Sequence, residues 1–358
     1  MRFVGATLGE LTGTQLKNLC EVVGIDESAA LRLLSDVLGP AAQRPLSEPP
    51  IYPSDVADDA TPVEYSLQFQ DDGSRRLRIL AEALPAHPGP AANLAAARQL
   101  VDALADRYHL ALDRLRSVQD LFSPDEPQGK FSWWFSFIFD ASGAPKFKVY
   151  FNPHVRGADA APRLVKKAFD RLGMAGAHET VHRYALRRDG LDDPVFFALD
   201  LDDSPHARVK LYVSQRDARP SDAQAAADAV PGIDPALVRE FCAQLAPDTE
   251  VFTGRPLVSS YSFVADDVDK PSNYSLYLPI RDYVPNDAVA RERIGGYLPQ
   301  VGVDPAVLDR AIGALTDRPL AARAGLLAHI SLRLSPNRIG TTVYLSSEAY
   351  GGTPAGER

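Results

Sequence analysis

This sequence has few cysteines, no apolar run long enough to span a membrane and no long run of basic residues. Its 358 residues include 2 cysteines, Cys20 and Cys242, and the opening MRFVGATLGELTG lacks the apolar run of a secretory signal, so we expect a cytoplasmic protein. The longest apolar run, WWFSFIF, is too short to span a bilayer, and we expect no membrane partner. A net charge of −9 without a long Lys/Arg run argues against a nucleic-acid partner. What remains is a globular protein that can bury a large core.

Metal-binding motifs are also scarce. HETVH at residues 178–182 places His178 and His182 one helical turn apart with Glu179 between them, as in zinc metalloproteases. No third ligand follows nearby, because RYALRRDGL comes next and the next glutamate is Glu240. We therefore favour a surface or packing role on a helix, with zinc hydrolysis as the alternative.

The strongest pattern is an internal repeat. Four strand-like segments, KFKVYFNP, ARVKLYVS, NYSLYLPI and TTVYLSSE, each contain a tyrosine. These tyrosines recur every 62 to 67 residues: Tyr150, Tyr212, Tyr277 and Tyr344. A second strand-like run lies upstream of each segment, joined to it by turn-rich residues such as DASGAP and SPNRIG. Each pair of runs therefore predicts a β-hairpin.

Helical segments fill the intervals between hairpins, which gives a repeating unit of two helices and two strands. A fifth unit opens the chain, with N-terminal helices in residues 1–48 and a Pro-rich loop at 39–62 before the first hairpin. The repeats run from about 62 to 348 and predict a single α+β domain over residues 1–358. Five hairpins supply ten antiparallel strands, and a closed barrel surrounded by helices would leave no strand edge exposed.

Alternation along the strands predicts which side chains face the inside of that barrel. In ARVKLYVS, Arg208, Lys210 and Tyr212 share one face and the apolar residues share the other. The apolar face belongs under the helices, so the polar, basic and tyrosine-rich face lines the lumen. The same alternation predicts these further inward residues: Glu64, Ser66, Gln68, Arg76, Arg78, Lys146, Lys148, Tyr150, Ser275, Tyr277, His329, Ser331 and Arg333. A cationic lumen in an acidic protein indicates a bound anion, whereas an open sheet with its polar face in water is the alternative.

These residues resemble the dimethylallyltryptophan synthase type of aromatic prenyltransferases, whose ααββ repeats form the ABBA prenyltransferase barrel. The resemblance is carried by VEYSLQF with Glu64, LRI with Arg78, KVYFNP with Lys148 and Tyr150, RVKLYV with Arg208, Lys210 and Tyr212, and SLYLP with Tyr277. It implies transfer of a dimethylallyl group from dimethylallyl diphosphate to an indole, either tryptophan or a tryptophan derivative. It also implies that no metal or other cofactor is required. The high Ala and Arg content is typical of a bacterial member.

The expected site residues follow from the charges that develop during such a reaction. Fixed donors in a water-poor lumen stabilise a departing diphosphate, and the expected donors are Arg78, Lys148, Arg208, Lys210, Tyr277 and Tyr344. Aromatic faces attract an allylic cation and exclude water, and the expected shield is Tyr150, Tyr212, Tyr277 and Tyr344. Glu64 is expected to accept a hydrogen bond from the indole N–H, with Trp134, His329 and Arg333 around the aromatic acceptor. The expected catalytic residues are therefore Glu64, Lys148, Tyr150, Lys210 and Tyr212.

Departures from the family pattern leave two alternatives open. FSWWFSFIFD has no lysine where some relatives place a proton acceptor, and Ser275 stands where some have glutamine. No DDxxD motif for Mg²⁺ is present, and DLDD at 200–203 and DDVD at 266–269 lie at hairpin ends, where we interpret them as turn residues. The alternatives are a same-barrel enzyme that acts on a phenol or hydroxynaphthalene, and a non-catalytic carrier of an anionic lipid or diphosphate.

Overall fold

The computed structural model describes residues 5–70, 72–265, 268–336 and 338–351. Within these ranges, ten α-helices and ten β-strands follow one another in alternating pairs. The helices are α1 (Leu8–Val23), α2 (Ser28–Leu38), α3 (Pro90–Tyr108), α4 (Asp113–Val118), α5 (Ala161–Arg171), α6 (Ala175–Tyr184), α7 (Pro220–Ala227), α8 (Ala236–Leu245), α9 (Asp287–Tyr297) and α10 (Ala306–Leu315). The strands are β1 (Val63–Gln70), β2 (Arg75–Ala81), β3 (Trp133–Phe139), β4 (Lys146–Phe151), β5 (Asp192–Asp200), β6 (Val209–Gln215), β7 (Leu257–Phe263), β8 (Asn273–Leu278), β9 (Leu327–Ser335) and β10 (Arg338–Ser346).

The strands form one closed antiparallel barrel in which each strand pairs with its neighbours in sequence. Closure comes from β1 and β10, where Ser66 lies opposite Tyr344 and Gln68 opposite Thr342. Because each of these ten strands has two partners, the part of the chain that the structure describes has no edge strand to pair with another molecule. The predicted closed barrel of five ααββ repeats is confirmed.

The outer face of the barrel packs against the helices. On β1, Tyr65 and Leu67 face outward and are at most 1% exposed, because α1 and α2 cover them. The Tyr65 hydroxyl donates a 2.8 Å hydrogen bond to the carbonyl of Thr12 in α1, which gives this buried hydroxyl a partner. The hydrophobic core is thus the layer between sheet and helices, and it leaves the inner face of the barrel for polar residues.

Local sequence signals set the ends of the elements. Thr7 begins α1 with a capping box, in which its hydroxyl accepts from the Glu10 amide and the Glu10 carboxylate accepts from the Thr7 amide. Gly143 has a φ of 79° in the turn between β3 and β4, a conformation that glycine adopts without a Cβ clash. These turns gather at one end of the barrel, which we call the hairpin end.

The opposite end, where the odd-numbered strands begin, is the mouth. The Pro-rich loop before β1 lies there, and its Val56 is 7% exposed and packs with Phe131 and Trp134. Among the described residues, no helix is both long and apolar enough to cross a membrane.

Candidate active site

A cavity of about 290 Å³ enters the barrel from the mouth. Its lining comes from the strands and from the loops at the mouth: Asp55, Val56, Glu64, Ser66, Arg78, Leu80, Trp134, Ser136, Tyr150, Val195, Phe196, Tyr212, Ser214, Arg255, Pro256, Val258, Tyr277, Arg281, His329 and Tyr344. Sequence alternation therefore brings most of the predicted site residues into one lumen.

The pairing register arranges the inward residues in successive layers. From Trp134 on β3, the line of paired residues passes to Tyr150, then to Ala198, then to Lys210. Barrel strands are tilted, so each step along this line moves further from the mouth toward the hairpin end. The repeats place equivalent residues at the same depth.

The mouth layer comprises the inward residues of the odd-numbered strands nearest the opening: Glu64, Trp134, Phe196, Val258 and His329. Trp134 stacks on Phe131 at 3.9 Å between ring centroids and lies 5.6 Å from Phe196. The layer is therefore largely apolar and aromatic, with Glu64 and His329 as its titratable groups. Such a surface suits a flat aromatic ring that carries one hydrogen-bond donor.

Glu64 is buried and its pKa is raised from 4.5 to about 8. Burial is the main cause, and the positive charge of Arg281 opposes it. Burial also lowers the pKa of His329 well below its ordinary value, with Arg281 and Arg255 acting in the same direction. Burial therefore favours the neutral form of both groups.

The tyrosine layer follows, with Tyr150, Tyr212, Tyr277 and Tyr344 on the even-numbered strands and Leu80 at the equivalent position of the first repeat. Consecutive tyrosine rings are 5.6 to 5.8 Å apart. They touch across the intervening strands because the inward residues there are small: Ala198, Ser260 and Ser331. Burial raises the pKa of each phenol, so the layer is neutral.

The cation layer lies below the tyrosines and contains Arg78, Lys148 and Lys210. Each cation is within 6.0 Å of a tyrosine ring centroid, and Lys210 Nζ is closest at 4.9 Å from that of Tyr212. Arg78 also donates a 3.2 Å hydrogen bond to the Tyr344 hydroxyl. The equivalent positions in the last two repeats are Ser275 and Thr342, so the positive charge is concentrated on one side of the lumen.

Asp200 balances part of this charge, a role that the sequence did not indicate. Its carboxylate lies 2.8 Å from Lys148 Nζ and 2.7 Å from Arg208 Nε. Burial favours the neutral acid, but the two cations outweigh it and hold the pKa of Asp200 well below its usual range. The interpretation of DLDD as a set of turn residues was therefore wrong for Asp200, although Asp202 does accept from the Ser204 amide in the turn.

Lys210 differs from Lys148 because no carboxylate compensates for its burial to the same extent. Burial is the first cause of its lowered pKa, and the charges of Lys148 and Arg208 add to it, so the pKa falls well below 10.5. Burial lowers the pKa of Lys148 to about 8, with Asp200 opposing the shift. The cations of this layer lower one another's pKa, and a bound anion would favour their charged forms.

Arg333 lies apart from the residues with which the sequence grouped it. Along β9, His329 and Arg333 share a face but are four residues apart, which is about 13 Å in a strand. Arg333 is at the depth of Asp200, where it donates a 2.7 Å hydrogen bond to Gln70. We therefore remove it from the aromatic acceptor group, because a shared face does not fix depth in the barrel.

Arg255, Arg281 and Asp58 line or border the mouth and were not found from the sequence. Arg281 follows β8 and Arg255 precedes β7, so neither belongs to an alternating strand pattern. Asp58 lies in the Pro-rich loop and pairs with both arginines. A pattern of alternating residues cannot locate side chains that loops bring to the cavity.

HETVH lies on α6, outside the barrel. His178 and His182 have ring centroids 6.2 Å apart, as expected one helical turn apart. Within the ranges that the structure covers, no cluster of three or more His, Cys, Asp or Glu residues is placed to hold a metal ion. In DDVD, Asp266 and Asp267 are outside the described residues.

Comparison with known proteins agrees with this architecture. A family model described as tryptophan dimethylallyltransferase matches residues 27–308. The chain is 47% identical to 6-dimethylallyltryptophan synthase from Micromonospora olivasterospora, solved in complex with DMASPP and Trp, with a TM-score of 0.94 over 98% of this chain and 100% of that one. It is 35% identical to 5-dimethylallyl tryptophan synthase from Streptomyces coelicolor, also in complex with DMASPP and Trp, with a TM-score of 0.91 and 98% of each chain covered.

A fungal relative matches over a shorter region. Deoxybrevianamide E synthase from Aspergillus versicolor is 27% identical over 206 residues, which are 50% of this chain and 45% of that protein. The chain thus matches less than half the length of this curated relative. The full-length structural matches and the family model together establish that the chain belongs to the tryptophan dimethylallyltransferase family.

Proposed function

We propose that this protein transfers the dimethylallyl group of dimethylallyl diphosphate to the indole ring of tryptophan. The observation that carries the proposal is the order of layers in one lumen: a mouth layer with Glu64, then the tyrosines, then Arg78, Lys148 and Lys210. An anionic donor and an aromatic acceptor bound at opposite sides of the tyrosine layer would meet within it. The donor and acceptor bound to the two bacterial relatives support the same pair of substrates.

Ionisation of the donor is the role of the cation layer. The C–O bond of the allylic diphosphate breaks, and the electron pair leaves with diphosphate. Arg78, Lys148, Lys210 and Arg208 offer fixed positive charge to that leaving group, which needs no reorganisation of solvent. Asp200 orients Lys148 and Arg208 before the diphosphate arrives.

The allylic cation then lies among the tyrosines. Four neutral aromatic faces attract it and keep water from it, at roughly 0.5 to 2 kcal/mol for each favourable ring. Tyr150, Tyr212 and Tyr277 are in direct ring contact, so the shield has no gap on that side. Their position between the cation layer and the mouth layer keeps the electrophile on its path to the acceptor.

The acceptor ring is held by the mouth layer. We propose that Trp134 and Phe196 pack against the indole and that Glu64 accepts a hydrogen bond from its N–H. Partial negative charge on the indole nitrogen makes the ring a better nucleophile. A ring carbon bonds to the cation, and that carbon then passes its proton to the released diphosphate, which restores aromaticity.

The reaction needs no metal ion in this scheme, because protein cations take the place of Mg²⁺ at the diphosphate. We propose that the enzyme works without any cofactor and acts in the cytoplasm, without a nucleic-acid or membrane partner. Two buried free cysteines, Cys20 and Cys242, fit a reducing compartment.

The test is an incubation of the purified protein with dimethylallyl diphosphate and either L-tryptophan or 1,6-dihydroxynaphthalene, followed by mass spectrometry. We expect a product from tryptophan that is heavier by one dimethylallyl group. Product from the naphthalene alone would favour the phenol-type enzyme. Diphosphate binding by calorimetry without turnover of either acceptor would favour the carrier.

A further inference from the structure

Glu82 is a buried acid that the proposed transfer leaves unused. It directly follows β2 and is 2% exposed. Ala81, the last residue of β2, pairs with Phe135 on β3, so the same register places Glu82 opposite Trp134. Trp134 lines the active-site cavity, and Glu82 can therefore act on that cavity through this neighbour.

The Glu82 carboxylate joins three separate elements. One oxygen accepts a 2.7 Å hydrogen bond from the Ser54 hydroxyl in the Pro-rich loop, and the other accepts a 3.3 Å hydrogen bond from Asn93 Nδ2 in the first turn of α3. The third element is β3, because the Trp134 indole N–H lowers the pKa of the same carboxyl. Trp134 Nε1 is buried and is not aligned with any acceptor in the described part of the chain. A buried indole N–H usually has a partner, and Glu82 is the acceptor beside it.

Two neighbouring parts of the cavity wall depend on these contacts. Val56 lines the cavity, packs with Phe131 and Trp134, and lies two residues after Ser54 in the Pro-rich loop. The Ser54 hydroxyl is also 3.5 Å from the Val56 amide nitrogen. One carboxylate therefore holds the loop that carries Val56 and the indole ring on which Val56 packs.

Resting on the proposed function, we propose that Glu82 is a positioning residue that fixes Trp134 and Val56 as one wall of the acceptor site. Glu64 holds the indole nitrogen of the substrate, and this wall sets the angle of the ring about that anchor. The wall therefore determines which ring carbon faces the tyrosine layer and receives the prenyl group. Glu82 acts through Trp134 and touches neither substrate.

The protonation of Glu82 fits a group that supports this wall. Burial raises its pKa from 4.5 to about 7, the hydrogen bonds that it accepts oppose the shift, and the Asp55 carboxylate adds to it. Asp55 itself lies 2.9 Å from Lys130 Nζ, and Tyr52 in the same loop has its pKa raised by burial and by Glu82. An ionised carboxylate is the stronger acceptor, so the contact with the Trp134 N–H should strengthen as pH rises through about 7.

Product analysis and kinetics test the role of Glu82. In Glu82→Ala we expect the ratio of prenyltryptophan regioisomers to shift about tenfold or more, because the acceptor ring loses its fixed angle. The KM for L-tryptophan should rise about tenfold, whereas diphosphate affinity by calorimetry should change less than about twofold. Glu82→Gln keeps the shape and one acceptor oxygen and should restore most of the wild-type ratio. Glu240→Ala, on the exposed face of α8, is the control and should behave as wild type.

A purely structural role for Glu82 gives a different result. The regioisomer ratio in Glu82→Ala would then equal that of the wild type, or diphosphate affinity would fall as much as tryptophan affinity, and either outcome overturns the proposal. If Glu82→Ala does not fold, Ser54→Ala decides, since it removes one hydrogen bond and leaves the carboxylate in place. We expect the same ratio to shift in Ser54→Ala, and an unchanged ratio contradicts the proposal.

Tryptophan fluorescence tests the contact without any substrate, so it also separates this proposal from the proposed function. The chain has 2 tryptophans, and Trp133 bonds to the Phe122 carbonyl outside the lumen. We expect the emission of the wild type to change with pH near 7, and this change to disappear in both Glu82→Gln and Trp134→Phe. It should persist in Glu64→Gln. A wild type that forms no prenyltryptophan refutes the proposed function alone, whereas an emission change that survives in Glu82→Gln refutes the role of Glu82.

Discussion

In the proposed transfer, Glu64 would combine recognition of the indole with control of activity by pH. Burial outweighs the charge of Arg281 and raises the pKa of Glu64 to about 8, so the carboxyl is mostly protonated at neutral pH. An ionised carboxylate is the stronger acceptor for an indole N–H. If Glu64 binds the indole N–H as proposed, the fraction of competent enzyme would grow as pH rises through its pKa.

We expect kcat/KM for L-tryptophan to rise with pH through about 8, where Glu64 loses its proton. Glu64→Gln retains size and one acceptor but has no proton to lose. The variant should abolish the rise and lower turnover by roughly 10²- to 10⁴-fold. The measurement is the pH–rate profile of both proteins.

A matched substrate provides the control for Glu64. 1-Methyl-L-tryptophan has no N–H, so it should be poor with the wild type and lose little more in Glu64→Gln. A fully active Glu64→Gln, or one that loses diphosphate affinity instead, would show that Glu64 is a structural partner of an arginine.

Binding of diphosphate should change the protonation of Lys210, and this change can be measured. Burial and the nearby cations lower the pKa of Lys210 well below its ordinary value, and the negative charge of a bound diphosphate would raise it again. We therefore expect net proton uptake when diphosphate binds, measured by calorimetry in buffers of different ionisation enthalpy.

The Lys210→Ala variant should remove this uptake and lower turnover roughly 10²-fold. Lys166→Ala on α5 is the control, because Lys166 pairs with Asp170 on the surface and should leave both quantities unchanged. Proton uptake that persists in Lys210→Ala would assign the proton to another group.

At the scale of elements, the tyrosine layer depends on the alternation of large and small residues on neighbouring strands. Tyr212 is 5% exposed and contacts the rings of Tyr150 and Tyr277 across strands whose inward residues are Ala198 and Ser260. We propose that the ring faces of these tyrosines, rather than their hydroxyl groups, meet the cation.

We therefore expect most of the allylic cation to reach tryptophan in Tyr212→Phe but to react with water in Tyr212→Ala. Only the alanine variant removes the ring and opens the tyrosine layer to solvent. The measurement is the ratio of dimethylallyl alcohol to prenylated tryptophan. This ratio should rise at least about tenfold in Tyr212→Ala, because a desolvated cation–π contact contributes up to about 2 kcal/mol. A similar rise in Tyr212→Phe would assign the role to the hydroxyl.

The sequence predicted these elements well because two periodicities coincide. A recurrence every 62 to 67 residues located the hairpins, and alternation within ARVKLYVS located their inward faces. The depth of a side chain depends on the pairing register between strands, which one sequence does not contain, so Arg333 was grouped wrongly. Asp200 was missed because a strand's last residue and a turn's first residue look alike in sequence.

At the scale of the whole molecule, the net charge is negative but a group of lysine and arginine side chains faces the inside of the barrel. The net charge is −9, yet the lumen concentrates Arg78, Lys148, Arg208 and Lys210 on one side. Helices on every side and a closed sheet leave the mouth as the route for substrates. We propose that residues 1–358 act as one domain, since α1 packs directly on β1 through Tyr65.

If these cations replace a metal, turnover should persist at its full rate in EDTA. Carboxylate cages hold Mg²⁺ in enzymes that use it at a diphosphate, whereas the lumen here presents lysine and arginine. The measurement compares initial rates with and without chelator after dialysis. Loss of activity that Mg²⁺ or Zn²⁺ restores would contradict the scheme and renew interest in His178 and His182.

The layered lumen is tested most directly by a crystal structure of the protein with a non-hydrolysable thiolodiphosphate donor and L-tryptophan. We expect diphosphate oxygens on Lys148, Arg208 and Lys210, the prenyl chain among the tyrosines, and the indole N–H within hydrogen-bond distance of Glu64. A diphosphate bound at Arg255 and Arg281, or an indole that lies away from Glu64, would contradict the order of the layers and with it the proposed transfer.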